Sequence, residues 1–291
     1  MLERLDLHLK KGDLSKSDKE KYGLGSQAWD GVIRMPVSGR SIKPRTAGLT
    51  MVIDKGVGLH QVADLLETAA NAIDVIKLTF GTSAFYEQNL LKKKNAVIRE
   101  RKIDIMPGGT FLEVAIWQGA VDAYLERAKD LGFTAIEVSD GTIDVDLRTR
   151  ADVIKKGVDR GFKIISEVGK KDPKEILPIA LIHQLIGEDI DHGAFKVIIE
   201  AREAGKGVGI FDQEGRTRRD EVENIVAGVA DPDVLIWEAP LKNQQQDLIL
   251  RFGPNVNLGN IPPDEVLALE ALRQGVRGDT LKKAYLESRK S

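Results

Sequence analysis

The sequence contains no cysteine, which excludes thiol catalysis, disulfides and metal sites built on thiolates. Histidine is nearly as scarce, with four in 291 residues. His8 lies in the N-terminal segment, His60 follows the first apolar run, and His183 and His192 fall between the fifth and sixth runs. No HExxH, GxSxG or Walker A pattern accompanies them. Neither sign of charge dominates: 43 Lys+Arg against 45 Asp+Glu leave a net charge of −2, so there is no basic footprint for nucleic acid. No apolar run approaches the roughly 18–20 residues that cross a bilayer, and the first thirty residues lack the apolar stretch of a signal peptide. A cytoplasmic protein with neither nucleic-acid nor membrane partners is expected. At this length roughly 75% of the unfolded surface can be buried without disulfide or metal.

What the sequence does contain is a rhythm. Residues 1–46 carry many charges (Lys10, Lys11, Asp13, Lys16, Asp18, Lys19, Glu20, Lys21) and no sustained periodicity, and read as an N-terminal extension. From residue 47 to 291, short β-branched runs alternate with helical stretches. The runs begin at Met51, Val75, Ile103, Ala135, Lys163, Lys196, Val234 and Val256, spaced for one strand, one helix and two loops each. Val62, Leu65, Leu66 and Ala69 follow helical spacing, and Val114, Ala115, Val121, Tyr124, Leu125 and Ala128 predict a single helix after the third strand. Thr110–Glu113 matches a capping box for that helix. Gly132 and Gly161 read as helix C-caps, and Pro262-Pro263-Asp264-Glu265 as a helix start. Eight such units predict a (β/α)₈ TIM barrel, with an open doubly wound sheet as the runner-up.

In a barrel the C-terminal strand ends share one mouth. Here they carry Asp54-Lys55, Lys77, Glu137 with Ser139-Asp140, Glu167 with Lys170-Lys171, Glu200 with Arg202, Glu238, and Asn257 with Gly259-Asn260. Charges in such apolar runs are costly unless paired or bound to metal. An internal Lys–Glu network would explain any one pair; a catalytic mouth explains the ring. Asp54, Glu137, Asp140, Glu167, Glu200 and Glu238 offer only oxygen, the preference of a hard cation such as Mg²⁺. Lys55, Lys77, Lys170, Lys171 and Arg202 suit an anionic substrate, whereas Lys242 reads as an exposed loop lysine.

The glycine segments fit the same mouth. Gly108-Gly109 permits close backbone approach after the third strand, and Gly81-Thr82-Ser83 offers hydroxyls after the second. Asn257-Leu258-Gly259-Asn260, before a helix start, reads as a phosphate cradle. Gly205-Lys206-Gly207-Val208-Gly209 is followed by Ile210 and not by the glycine of a dinucleotide fingerprint.

Several of these segments together resemble one enzyme family. Leu49–Gly56, Gly81-Thr82-Ser83, Pro107-Gly108-Gly109-Thr110, Glu137–Gly141, Ser166–Lys171, Val197–Glu203, Glu238–Lys242, Val256–Asn260 and Leu272–Thr280 resemble the phosphosulfolactate synthase family, in order and at every predicted strand. Thr79-Phe80 departs from a Gly-Trp common in that family, a change expected at the pocket floor beside Lys77, and the N-terminal extension is longer. The resemblance implies Mg²⁺-dependent addition of sulfite to phosphoenolpyruvate, giving (2R)-phospho-3-sulfolactate for coenzyme M or sulfolactate formation. It implies metal ligands among Glu137, Asp140, Glu167, Glu200 and Glu238. A proton donor is expected from the Lys170–Lys171 pair, with Lys170 favoured and Lys55 as a further catalytic candidate. Substrate contacts are expected from Lys77, Ser139, Arg202, Asn257, Gly259 and Asn260, in a homo-oligomer. The rivals are a Schiff-base lysine aldolase, which borohydride would trap and EDTA would spare, and a non-catalytic barrel relative.

Overall fold

Each of the eight apolar runs forms a parallel strand: β1 (Thr50–Asp54), β2 (Val75–Leu78), β3 (Asp104–Pro107), β4 (Ala135–Val138), β5 (Lys163–Val168), β6 (Lys196–Ile199), β7 (Leu235–Glu238) and β8 (Leu258–Ile261). The computed structural model describes residues 27–202 and 204–289; the charged stretch over 10–21 lies outside them. The strands run in the order β3-β2-β1-β8-β7-β6-β5-β4, so the first and last strands pair. The remaining seam is bridged by Thr134, whose N–H donates to the Ile105 carbonyl while its hydroxyl accepts the Ile105 N–H, both at 3.0 Å. This is the (β/α)₈ barrel and not the open sheet.

The intervening helices are α1 (Leu59–Ala69), α2 (Gln88–Glu100), α3 (Gly109–Trp117), α4 (Val121–Asp130), α5 (Leu147–Asp159), α6 (Ile179–Asp191), α7 (Arg219–Ala227), α8 (Lys242–Phe252), α9 (Val266–Arg273) and α10 (Gly278–Ser288). One expectation fails between β3 and β4. The predicted single helix is two, because Gly119 adopts a left-handed φ of 64° that ends α3. The capping box fails with it: Gly108 is the N-cap of α3, and Glu113 turns to other partners described below. Gly132 and Gly161 do end their helices, at φ 83° and 81°.

Alternation along the strands separates two packed regions. Outward residues such as Ile76, Ile136, Val197 and Leu235 join the helices in the large core. Inward residues Met51, Val75, Met106, Ala135, Ile165, Ile198 and Ile236 form a separate plug inside the barrel. Two residues further along, the inward position becomes charged in five strands: Val75 is followed by Lys77, Ala135 by Glu137, Ile165 by Glu167, Ile198 by Glu200 and Ile236 by Glu238. The apolar plug thus floors a charged mouth.

The opposite end is closed by backbone-binding side chains. Arg273, fully buried on α9, donates to the carbonyls of Pro254 (2.6 Å), Val256 (2.7 Å) and Leu49 (3.1 Å). The segment before β1 docks here, through Arg40 to Glu270 (3.0 Å) and Arg45 to Asp74 (3.0 Å). Asn257 belongs to this end and not to the mouth. It accepts the Leu49 N–H (2.9 Å) and donates to the Asp233 and Leu235 carbonyls (2.7 and 2.8 Å). It is the first polar residue of the last run, on the side where strands begin, so the substrate contact expected of it is corrected to a structural one. Asn257→Ala is expected to cost about 2–4 kcal/mol, because buried backbone groups lose their partners, with kcat unchanged; urea unfolding and initial rates check both. Among the described residues no helix is long and apolar enough to cross a membrane.

Candidate active site

The charged mouth is built around two lysines. Lys77 Nζ, at the end of β2, lies 2.8 Å from Glu137, 3.3 Å from Glu167 and 3.3 Å from Glu238. Lys171, just past β5, reaches back to Glu167 at 2.6 Å and Glu200 at 2.8 Å. All four carboxylates are at least 98% buried. Backbone amides fix them from the loops: Gly109 N–H donates to Glu137 (2.8 Å), Arg202 N–H to Glu200 (2.6 Å) and Ala201 N–H to Glu238 (2.9 Å).

Four carboxylates facing two ammonium groups leave two negative charges in excess, and the protonation equilibria respond. Burial raises Glu137 to about 7, with Lys77 opposing the rise and Glu167 adding to it. Burial also raises Glu200 well above the usual carboxylate range, reinforced by Glu167 and Glu238. Burial disfavours a charge on Glu167 too, but Lys171 and Lys77 outweigh it and hold this carboxyl well below its ordinary value. Burial likewise opposes charge on both lysines. The carboxylates around them prevail and raise Lys77 and Lys171 above the ordinary lysine value.

One oxygen each of Glu137 and Glu200 lacks an aligned hydrogen-bond donor, although an ammonium stands 2.8 Å away. The surplus charge, the all-oxygen donor set and these two oxygens fit a divalent hard cation in chemistry. Among the described residues, however, no group of three or more carboxylates or imidazoles forms a ready-made metal cage; the ammonium groups already stand between the carboxylates.

Behind the ring lies a layer absent from the sequence reading. Glu113 of α3 accepts from the Ser139 hydroxyl (2.9 Å) and from the Thr142 and Ile143 N–H groups (2.9 and 2.8 Å). Arg150 of α5 makes a two-pronged contact with Asp189 (2.8 and 2.6 Å) and donates to the Glu167 carbonyl (2.9 Å). Lys94 of α2 is buried against Asp54 (2.6 Å), whose other oxygen holds the turn at Gly56 and Val57. A signal for these was present. Lys94 and Asn95 share the stripe of Leu91 and Ile98, and Arg150 that of Val153, Ile154 and Gly157. A charge on a buried stripe needs a buried partner.

The structure redistributes the expected site residues. Glu137, Glu167, Glu200, Glu238, Lys77 and Lys171 converge. Asp140 does not: it pairs with Arg150 (3.1 Å) and is 3.6 Å from Lys170. Lys170 donates to the Asp140 carbonyl (2.8 Å) and to Asp144 (3.1 Å), so Lys171 and not the favoured Lys170 faces the ring. Lys55 is exposed on the turn after β1, beside the buried Asp54. Lys77 is enclosed by carboxylates, and Ser139 spends its hydroxyl inside the protein, so neither is free for a substrate anion. Arg202, at a left-handed φ of 61°, carries an exposed side chain at the rim, with Nη1 3.4 Å from the Lys171 carbonyl.

Gly259 faces the plug: a Cβ there would sit 2.6 Å from Met51 Cε, and its carbonyl accepts the Ala239 N–H. The turn after β8 offers two prolines and two acids, Pro262–Glu265, and prolines have no N–H to give. The two prolines therefore give no N–H donors to the phosphate cradle expected there. Asn260, buried with an unpartnered Oδ1, remains beside it. Phe80 is 54% exposed on a left-handed turn after β2, next to the buried Thr79.

Gly109 shows how tightly the ring is packed. A Cβ there would meet Ser139 Cβ at 2.6 Å and Glu137 Oε1 at 2.7 Å. Gly109→Ala is expected to displace Glu137 and lower turnover by about 100-fold, with far-UV circular dichroism unchanged; steady-state rates on the folded variant check this.

Residues 38–279 match the family model described as (2R)-phospho-3-sulfolactate synthase. The phosphosulfolactate synthase of Methanothermobacter thermautotrophicus is 42% identical over 249 residues, covering 85% of this chain and 96% of that protein. That of Methanocaldococcus jannaschii is 43% identical over 238 residues, covering 81% and 94%. Among solved structures, 3-hexulose-6-phosphate synthase from Salmonella typhimurium is similar in fold alone, with a TM-score of 0.51 at 12% identity over 77% of this chain and 97% of that one. With the family model spanning most of the barrel and relatives above 40% identity along nearly their whole length, the chain belongs to the (2R)-phospho-3-sulfolactate synthase family, enzymes of the carbon–sulfur lyase type.

Proposed function

We propose that this enzyme adds sulfite to C3 of phosphoenolpyruvate, with Mg²⁺ as cofactor, to give (2R)-O-phospho-3-sulfolactate for coenzyme M or sulfolactate formation. The observation that carries the reading is Lys171, a charged ammonium held between Glu167 and Glu200 at the open end of an otherwise buried ring. When sulfite attacks, the C–S bond forms and the π electrons of the enol move to C2 and into the carboxylate. Lys171 donates a proton to C2, and its 28% exposed side chain lets solvent restore that proton. Arg202, exposed at the rim, binds the phosphoryl group through its planar fork, and Asn260 offers its amide to the same substrate.

Mg²⁺ would be held by ring carboxylates, Glu200 first among them because one of its buried oxygens lacks an aligned donor, and would stabilise negative charge on the substrate carboxylate. Two lysine-paired carboxylates, Glu167 and Glu238, complete the charge balance. The Schiff-base alternative needs a lysine that is neutral at rest, whereas the carboxylates around Lys77 and Lys171 keep both protonated at rest, the form a proton donor requires. The reading includes a homo-oligomer acting in the cytoplasm.

Incubating the purified enzyme with phosphoenolpyruvate, sulfite and Mg²⁺ should yield an acid-stable sulfonated phosphate ester, detected by mass spectrometry and abolished by EDTA. Turnover that survives EDTA but is trapped by borohydride would replace this reading with the aldolase.

A further inference from the structure

We infer that Glu113, which contributes nothing to the ring itself, is the positioning residue that aims Lys171 into it. Every link is a contact between named atoms in the structure. Glu113 is 2% exposed on α3, and one of its oxygens clamps the loop after β4 by accepting the Thr142 and Ile143 N–H groups at 2.9 and 2.8 Å. Its other oxygen accepts the Ser139 hydroxyl at 2.9 Å. That clamp fixes Gly141, whose N–H donates to Ser139 Oγ (3.1 Å) and whose carbonyl accepts the Lys171 N–H (2.9 Å). Gly141 also lies flat against the lysine: a Cβ there would stand 2.7 Å from Lys171 Nζ and 3.2 Å from its Cγ. The loop held by Glu113 is therefore one wall of the channel along which Lys171 extends toward Glu167 and Glu200.

The hydroxyl between the two layers adds a polarity. Ser139 Oγ stands 2.9 Å from Glu113 and 3.0 Å from Glu167, but a hydroxyl has one hydrogen. Glu167 Oε1 already receives Lys171 at 2.6 Å, whereas Glu113 Oε1 has only Ser139. Ser139 therefore donates its hydrogen to Glu113 and leaves that Glu167 oxygen to Lys171. Glu113 thus acts twice on the same lysine, by holding its wall and by withdrawing a competing donor from its partner.

The inference rests on the proposed role of Lys171 as proton donor, and its test separates the two. Glu113→Ala is expected to speed amide exchange at Thr142 and Ile143 and to raise chemical labelling of Lys171 several-fold, with Lys94 unchanged as an internal reference. Turnover should fall by about 100-fold with KM nearly constant. Glu113→Gln can turn its oxygen to the two N–H groups and its amide to Ser139. It is expected to restore loop protection and most of the turnover, which a merely structural loss at this position would not do. Unchanged Lys171 labelling in a folded Glu113→Ala variant overturns the inference, as does Glu113→Gln failing to restore turnover with the loop protected. If the proposed reaction is wrong, the wild type makes no sulfonated product while the exchange and labelling differences persist.

Discussion

Lys171→Met is expected to lower turnover by about 1,000-fold, the range in which a positioned general acid contributes, while Lys170→Met stays within about tenfold of the wild type. The two lysines are adjacent in sequence, yet only one is in the ring. Lys171 contacts Glu167 and Glu200, whereas Lys170 binds the Asp140 carbonyl and Asp144 on the neighbouring loop. Methionine keeps the stem and removes the proton, so packing along Gly141 survives. The loss should appear in kcat more than in KM and be partly rescued by added methylamine. Should Lys171→Met turn over normally, protonation at C2 must come from elsewhere.

Folding stability without a divalent cation is expected to fall as pH rises from about 5 to 7. The sign follows from Glu137 and Glu200, whose folded-state pKa values lie above their unfolded ones, Glu137 at about 7 against an ordinary 4.5. In that window the folded state binds more protons than the unfolded chain, so stability is fully present below 4.5 and is lost as pH climbs through the folded value. For Glu137 alone the change is on the order of 3 kcal/mol. Glu167, shifted the other way, contributes stability that is present above about 4.5 and lost only as pH falls further, and the lysines change the balance only at alkaline pH.

Glu200→Gln mimics the protonated form and is expected to flatten the slope and match or exceed wild-type stability at pH 8. It should also lower turnover by at least about 100-fold, because the carboxylate assigned to Mg²⁺ is gone. Saturating Mg²⁺ should raise the wild-type Tm at pH 8 and leave that of the variant unchanged. Urea unfolding at pH 5, 6, 7 and 8 together with melts at pH 8 test all of this; a stability that climbs between pH 5 and 7 would refute the charge excess.

Much of this could be read without coordinates. The eight strand runs lie within two residues of where the strands form, because an apolar β-branched run bounded by glycine and polar residues has few alternatives to a buried parallel strand. The ring acids follow from the same alternation: Ala135 and Glu137, Ile165 and Glu167, Ile198 and Glu200, Ile236 and Glu238 each repeat with a period of two, so a plug residue at one level obliges a mouth residue at the next. Gly119 broke a helix that periodicity ran through, and Glu113 looked like half of a capping box because its partners, Ser139 and the Thr142–Ile143 amides, lie across the fold.

The sequence by itself determined the barrel, the end of it where charges gather and the six acids (Asp54, Glu137, Asp140, Glu167, Glu200 and Glu238) from which the four ring carboxylates come, since strand alternation and strand direction are properties of the local chain. Only the tertiary structure decided which of two adjacent lysines enters the ring, that Asn257 serves the closed end, that Asp140 answers to Arg150, and that Lys94, Glu113 and Arg150 are buried supports. Those outcomes depend on which side chain meets an opposite charge or an orphaned amide contributed by a segment some tens to hundreds of residues away. Electrostatic pairing in a low-dielectric interior is settled by distances that no local pattern encodes.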